Sequence, residues 1–487
     1  MKHKLTFSLL ALLFALPVFA QKGFKIRAKL DNYEANELVL GFHYGEKQYV
    51  KDTVARAADG WFTFQADTLL PCGVYLLVLK PDNTFIQILI SDDQDFSVQT
   101  DAKDAVGKMV VKGSDDNEHF YTYLKYLGKM RPEADTLRAQ FDRLKKNAAD
   151  SIRIVDALEK LDKDVKKYQA DVVKKYPGTM TAKIVRSAIE PEAPEFKDLP
   201  EKEAQQKRYY WWRAHYFDNL DIADPCMLRG PVLHSKVDAY ITKVVPQHPD
   251  SVNIALDYIL QKVKPSKEVY KYFLIHFLNY YAQSKLVGFD ACYVHLVKNY
   301  YAKGEAPWTK KDDLDKIIDN ANRLEPILIG KIAPNIVVKD SLDKPHALYD
   351  VDADFTVLFF WASDCGHCKK AAPHMVEFAK KFKDRGVKVF AVCTDVVTDA
   401  KTGAEKVRTD CWKGIREKEF SDFLFLNHYD PYIQSKYKTL YDIRSTPQIF
   451  ILDRKHEILM KRIGAEQLGE VMEEVMKFQK EKGKTGK

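Results

Sequence analysis

Residues 357–373, VLFFWASDCGHCKKAAP, limit the possible folds of this chain more than any other stretch. The apolar run 357–361 reads as a buried strand, and Cys365, Gly366, His367 and Cys368 then open a helix that carries Pro373. Strand, CxxC, helix puts two sulfurs at a helix start, where unpaired N–H groups and the helix dipole favour an anion. The first cysteine can therefore ionise near neutral pH, and the thiolate is the reactive species. Cys365 is the expected nucleophile because it is nearer the helix start and solvent. Cys368, one turn in, is the expected buried partner. Half a zinc site is the competing reading, but no second CxxC or histidine pair with zinc spacing occurs in the sequence.

A second motif is Thr446-Pro447, within RSTPQIFILD. Trp361 lies four residues before Cys365, Lys369 follows Cys368, and Pro373 lies five beyond it. Taken together, these residues resemble the thioredoxin-like superfamily, and within it the exported TlpA/ResA-type thiol-disulfide oxidoreductases. The resemblance covers roughly the last third of the chain, about 331–478.

It implies disulfide exchange with protein thiols, no cofactor and no metal. Cys365, Cys368, His367 and Pro447 would be the catalytic residues, with Trp361, Gly366 and Thr446 at the substrate. Pro447 would be cis and bring a backbone edge to the sulfurs, where a substrate chain could pair. Cys365 would attack a partner disulfide, and Cys368 would then resolve the mixed disulfide. A partly cationic His367 would favour the thiolate and a more oxidising pair, as the resemblance of CGHC to the protein disulfide isomerase dipeptide implies; a plain surface histidine is the competing reading.

Two positions depart from the family pattern. Phe359 replaces a buried acid two residues before the tryptophan, and Ala371 replaces a glutamate three after the second cysteine. Asp364 and Asp395 are then the candidate proton acceptors for Cys368. A peroxidase is disfavoured because the Pro-x-x-x-Thr-x-x-Cys pattern is absent.

The N-terminus adds a compartment. Lys2 and Lys4 precede a short apolar run, and Val18, Phe19 and Ala20 suit cleavage before Gln21, so residues 1–20 read as a secretory signal. No cysteine follows the cleavage site, so a soluble periplasmic protein is expected rather than a lipid-anchored one. With 46% apolar and 30% charged residues, the 487-residue chain is long and apolar enough for several packed domains. Its net charge of +7 is spread among interleaved acids, which argues against a nucleic-acid partner. The expected partners are protein thiols and disulfides and a membrane or periplasmic redox protein. All seven cysteines follow the signal, and only Cys365 and Cys368 are close in sequence. Cys393 reads as a buried core residue and Cys411 as an inert thiol on a helix, with a third redox thiol as the alternative.

The chain is expected to be multidomain. Residues 21–112 alternate short β-rich runs at 24–30, 37–43, 61–64, 74–79, 85–90 and 95–99 with turn signals, which suggests an antiparallel β-sandwich. Residues 113–325 read as an α-helical region. There Ile154, Leu158, Leu161, Val165, Tyr168 and Val172 form a short heptad seam, expected to pack within one subunit. An aromatic block, Tyr209 to Trp212, is followed by Asp218, Asp221 and Asp224. It reads as core packing, with a peptide groove or cation site as the alternative. Residues 326–487 are expected, as the resemblance implies, to form the α/β thioredoxin fold, including a helix at 430–441. The front regions resemble the DUF4369-like β domain and DUF5106-like helical region of exported thioredoxin proteins. The alternative function is a binding or assembly protein in which these front domains capture a partner.

Overall fold

A computed structural model describes residues 23–144, 148–398 and 403–485. The expected signal at 1–20 lies outside them. Two compact units are present: one runs to Val244 and includes Gln261–Tyr270, and the other takes Val245–Leu260 and Lys271 onward.

The first unit begins with β1 (Phe24–Asp31), β2 (Glu37–Tyr44), β3 (Lys47–Ala55), β4 (Phe62–Ala66), β5 (Gly73–Leu79), β6 (Thr84–Ile90), β7 (Asp95–Asp101) and β8 (Val110–Lys112). They form two four-stranded sheets, ordered β4-β1-β7-β8 and β3-β2-β5-β6. Alternation in β1 turns Phe24, Ile26, Ala28 and Leu30 inward, as the period-2 pattern requires. One pairing differs from the expected antiparallel arrangement: β1 and β7 run parallel, from Lys25 opposite Asp95 to Asp31 opposite Asp101. Five strands separate them in sequence, so no hairpin dictates their direction. β3 was not legible because its residues, KQYVKDTVA, are mostly exposed along a sheet edge and carry no apolar alternation.

Helices α1 (Asp115–Arg143), α2 (Ala148–Lys175), α3 (Met180–Ser187), α4 (Glu201–Ala214), α5 (Pro225–Leu228) and α6 (Pro231–Ala239) follow. The Ser114 hydroxyl accepts from Asn117 N and caps α1. The heptad seam of α2 packs on α1 of the same chain, with Tyr168 stacked on Tyr126 at 3.9 Å and Val172 buried beside Tyr123. The three aspartates are used locally. Asp218 pairs with His215 at 2.6 Å, Asp221 accepts from Ala223 N at 3.0 Å, and Asp224 caps α5 and pairs with Lys183 at 2.8 Å. Of the aromatic block expected in the core, Tyr209 and Tyr210 are exposed, while Tyr216 and Phe217 beyond it are buried. A disulfide joins Cys72 to Cys226 within this unit.

The second unit includes much of α7 (Pro249–Val263) and α8 (Lys267–Ala282), then α9 (Asp290–Leu296) and α10 (Lys311–Leu324). Strands and helices then alternate: β9 (Val337–Lys339), β10 (Pro345–Ala347), β11 (Phe355–Trp361), α11 (Gly366–Phe382), β12 (Val387–Cys393), α12 (Ala404–Glu417) and β13 (Phe425–Tyr429). The chain closes with α13 (Tyr437–Leu440), β14 (Gln448–Asp453), β15 (Ile458–Lys461) and α14 (Leu468–Thr485). Seven strands form one sheet, ordered β10-β9-β13-β12-β11-β14-β15. β11 pairs parallel with β12 and antiparallel with β14. Central strands of this kind are covered on both faces, which explains the unbroken apolar run FTVLFFW. Val357, Phe359 and Trp361 pack towards α11 and α12, whereas Leu358 and Phe360 meet Tyr437 and Tyr441.

The expected helix at 430–441 shrinks to Tyr437–Leu440. Asp430 accepts N–H groups of Gln434 and Ser435, and Ile433 and Lys436 have left-handed φ values of 53° and 57°. An aspartate loop of this kind competes with the helix ladder for the same amides. In the edge strand β15, the Lys461 ammonium is buried, paired with Asp290 of α9 and bonded to Ile327 O at 2.7 Å.

Candidate active site

β11 ends at Trp361, and residues 362–364 link it to the start of α11. Cys365 is the N-cap residue of α11, with extended backbone at φ −72° and ψ 116°. Its Sγ accepts the Cys368 N–H at 3.1 Å, as a cap side chain does. The Thr446 carbonyl oxygen lies 3.4 Å from Cys365 Sγ, and the Thr446–Pro447 peptide bond is cis. Two segments 81 residues apart thus meet at one sulfur.

The two thiols have opposite surroundings. Partial burial pushes Cys365 up, but hydrogen bonds from the Cys368 thiol, Thr446 and the Cys368 and His367 amides outweigh it, leaving its pKa below the ordinary thiol value. Cys368 is fully buried, and desolvation, followed by its hydrogen bond to Cys365, pushes it up to about 12. Of the two, the outer sulfur therefore ionises first, and at neutral pH the inner one keeps its proton.

The remaining expected site residues separate into three groups. Gly366 is the exposed first residue of α11, with open space where a Cβ would stand. His367 is exposed, and its amide N–H is the group that acts on Cys365. Trp361, expected at the substrate face, is only 1% exposed: its ring meets Phe420 edge-on at 5.3 Å and leaves no room beside Gly414. It supports the site from below because β11 is buried on both faces. Asp395 accepts from Ser363 N at 3.3 Å and Asp364 is exposed, and neither is among the groups that most move Cys368.

Three features were missed by sequence reasoning. Cys393 and Cys411 form a disulfide between β12 and α12; Cys393 is buried in the core as expected, but Cys411 is bonded rather than a lone thiol. They are 18 residues apart and on different element types, so no local spacing marks them. Phe420 fills the space beneath Phe359 and Trp361. Lys418 is 5% exposed, donates from Nζ to Ser363 O at 2.7 Å, and lies 5.1 Å from the Trp361 ring centroid. A lysine in a stretch reading REKEF looks like a solvated helix end, and only tertiary packing reveals it as buried.

A helix capped by the first thiol of a CxxC, set after the central strand of a mixed sheet and facing a cis X-Pro bond, defines a thioredoxin-like domain. Comparison with known proteins agrees. The AhpC/TSA family model matches residues 329–460, and two models described only as domains of unknown function, DUF5106 and DUF4369, match 160–323 and 24–120. The thiol-disulfide oxidoreductase ResA of Bacillus cereus is 30% identical over 155 residues, covering 31% of this chain and 77% of that protein. ResA of Bacillus anthracis is 39% identical over 71 residues, or 15% of this chain and 41% of that protein. A solved domain of a possible thiol-disulfide isomerase from Cytophaga hutchinsonii is 33% identical, covers 31% of this chain and 96% of its own, and has a TM-score of 0.27. This chain belongs to the thiol-disulfide oxidoreductase family, with a β domain and a helical region in front of its thioredoxin-like domain.

Proposed function

We propose that the protein is an exported, periplasmic enzyme that exchanges disulfides with protein substrates through Cys365 and Cys368. The observation that carries this reading is the asymmetry of the pair: a half-buried sulfur at the helix cap with a lowered pKa, beside a fully buried one held protonated. Cys365 attacks a partner disulfide, and a mixed disulfide forms as the partner's other sulfur leaves as a thiolate and takes a proton. Cys368 then attacks Cys365, closing the pair and releasing the partner as a dithiol.

Thr446 and Pro447 offer the backbone edge along which a substrate chain lies while its sulfur meets Cys365, and Gly366 leaves that approach open. His367 stands exposed at the same rim, where a protonated imidazole would favour the thiolate. Export rests on the basic and apolar pattern of residues 1–20. Insulin reduction and oxidation of reduced RNase test the reading directly: wild-type protein active in at least one assay and Cys365→Ser inactive in both is the expected result. Wild-type inactivity in both overturns it.

A further inference from the structure

Lys418 is an unusual group to find under a redox site. Its Nζ is bonded to a neutral carbonyl, Ser363 O, and lies near the neutral ring of Trp361, both in the segment that leads into Cys365. Among the described residues no carboxylate lies within ion-pair distance of it. Burying an ammonium without an anion is costly, so a transient anion that needs it is the natural explanation. Cys368 belongs to the same buried cluster as Trp361. Lys418 also lines a pocket along α11 together with Lys369, Ala372, Pro373, Glu417 and Glu419.

Resting on the disulfide-exchange reading above, we propose that Lys418 is the positioning cation for the resolving thiol, stabilising the Cys368 thiolate once Cys365 is held in a mixed disulfide. The titratable groups around the ammonium come from each packed element: Cys368 and Lys369 from α11, Asp395 from the segment after β12, and Glu417 from α12 itself. Burial lowers the Lys418 pKa, and among these groups an ionised Cys368 would do most to raise it. In the free dithiol, Cys368 is governed instead by desolvation and its hydrogen bond to Cys365. A mixed disulfide removes the Cys365 thiol from that bond, and the lysine is then the cation left beside the inner sulfur.

The step balances. Cys368 gives up its proton to solvent, and its thiolate attacks Cys365 Sγ. The Cys365–Cys368 bond forms as the bond to the partner sulfur breaks. The partner leaves with the electron pair and takes a proton, so the pair is oxidised and the partner reduced by two electrons.

Ellman's reagent separates the two stages in the full chain, because Cys365 releases one thionitrobenzoate on attack and Cys368 releases a second on resolution. In Lys418→Met the second phase should slow about tenfold at pH 7, its pH midpoint rising by about one unit. The first phase should stay within about twofold, and Lys418→Arg should restore the second. Superimposable second-phase profiles for wild type and Lys418→Met overturn the proposal. Should Lys418→Met fail to fold by circular dichroism, Cys365→Ala decides, because its Cys368 lacks the competing thiol: 13C NMR of lysine Cε should show Lys418 titrating at higher pH before Cys368 is blocked with methyl methanethiosulfonate than after. Equal titration before and after overturns it. A wild type that releases thionitrobenzoate in neither phase overturns the exchange reading and this proposal together, whereas a normal wild type with an unaltered Lys418→Met removes this proposal alone.

Discussion

Two cysteine pairs meet at the end of β11, where Trp361 lies in register with Cys393 of the neighbouring strand, and they have opposite chemistry. Cys365 and Cys368 are both free thiols, and the outer one is partly open at a helix cap. Cys393 and Cys411 are fully buried and already bonded to one another. On the proposed exchange reading a thiolate needs access to an incoming sulfur, so position at a helix start would make one pair reactive, and burial would shield the other. The difference teaches that the number of cysteines says little here. The backbone that presents each sulfur decides whether it works or holds.

The strongest way to break this contrast is Cys365→Ser. Insulin reduction and RNase oxidation should fall to background, while replacing Cys393 and Cys411 together by Ser should leave either activity largely intact. A loss of similar depth in the double variant would mean that the buried pair takes part in electron transfer. Cys368→Ser should lower turnover by at least roughly a hundredfold and make the covalent intermediate accumulate, visible as a larger species on non-reducing gels.

A stability measurement sharpens the other half. The Cys393–Cys411 disulfide closes a loop of 18 residues, so the double serine variant should lose about 3 kcal/mol in urea unfolding followed through the thioredoxin-like domain. The same unfolding experiment on Cys365→Ser should show a much smaller change.

The smallest expected effect is a pH dependence of reactivity and stability. Iodoacetamide should modify Cys365 with a midpoint below 9.0, while Cys368 in the folded protein should resist until about pH 12. Cys368 has its pKa raised in the folded state. Its contribution is therefore complete below its unfolded value near 9.0 and is lost as pH rises towards about 12. Cys365 has its pKa lowered and contributes in the opposite sense, losing its share as pH falls through its folded value. Relative to the oxidised form, the reduced protein should weaken between about pH 9 and 12, as measured by urea midpoints of the two forms. Buried tyrosines that titrate at high pH do so in both redox states and cancel in this difference.

How much of this was written in the sequence depends on how far apart the interacting residues are. β11, the CGHC turn and α11 were legible because one apolar run and one spacing specify them locally. Thr446-Pro447 could be placed at the sulfurs only through the family resemblance, since nothing within RSTPQIFILD points to a site 81 residues away. β3 was hidden by its charged edge-strand composition, and 430–441 looked helical because Asp430 competes for its amides in a way that periodicity does not register. The Cys393–Cys411 bond and the burial of Lys418 both depend on how α12 docks beside β11 and β12. A charged, two-sided helix gives no signal of which residues will lie beneath it. Trp361 was placed in the right motif, but its role as floor rather than rim follows from strand burial on both faces.

The ion pair between Lys461 and Asp290 bears on where the last domain begins. Cutting the chain at residue 326, where the sequence suggests a boundary, keeps β15 and its buried ammonium but discards the carboxylate on α9 that neutralises it. The excised piece would have to hydrate that ammonium, give up its proton or rearrange the end of the sheet. In assembly terms, α9 behaves as an outlying member of the thioredoxin-like domain, and a fragment meant to report on the redox pair should start upstream of Asp290.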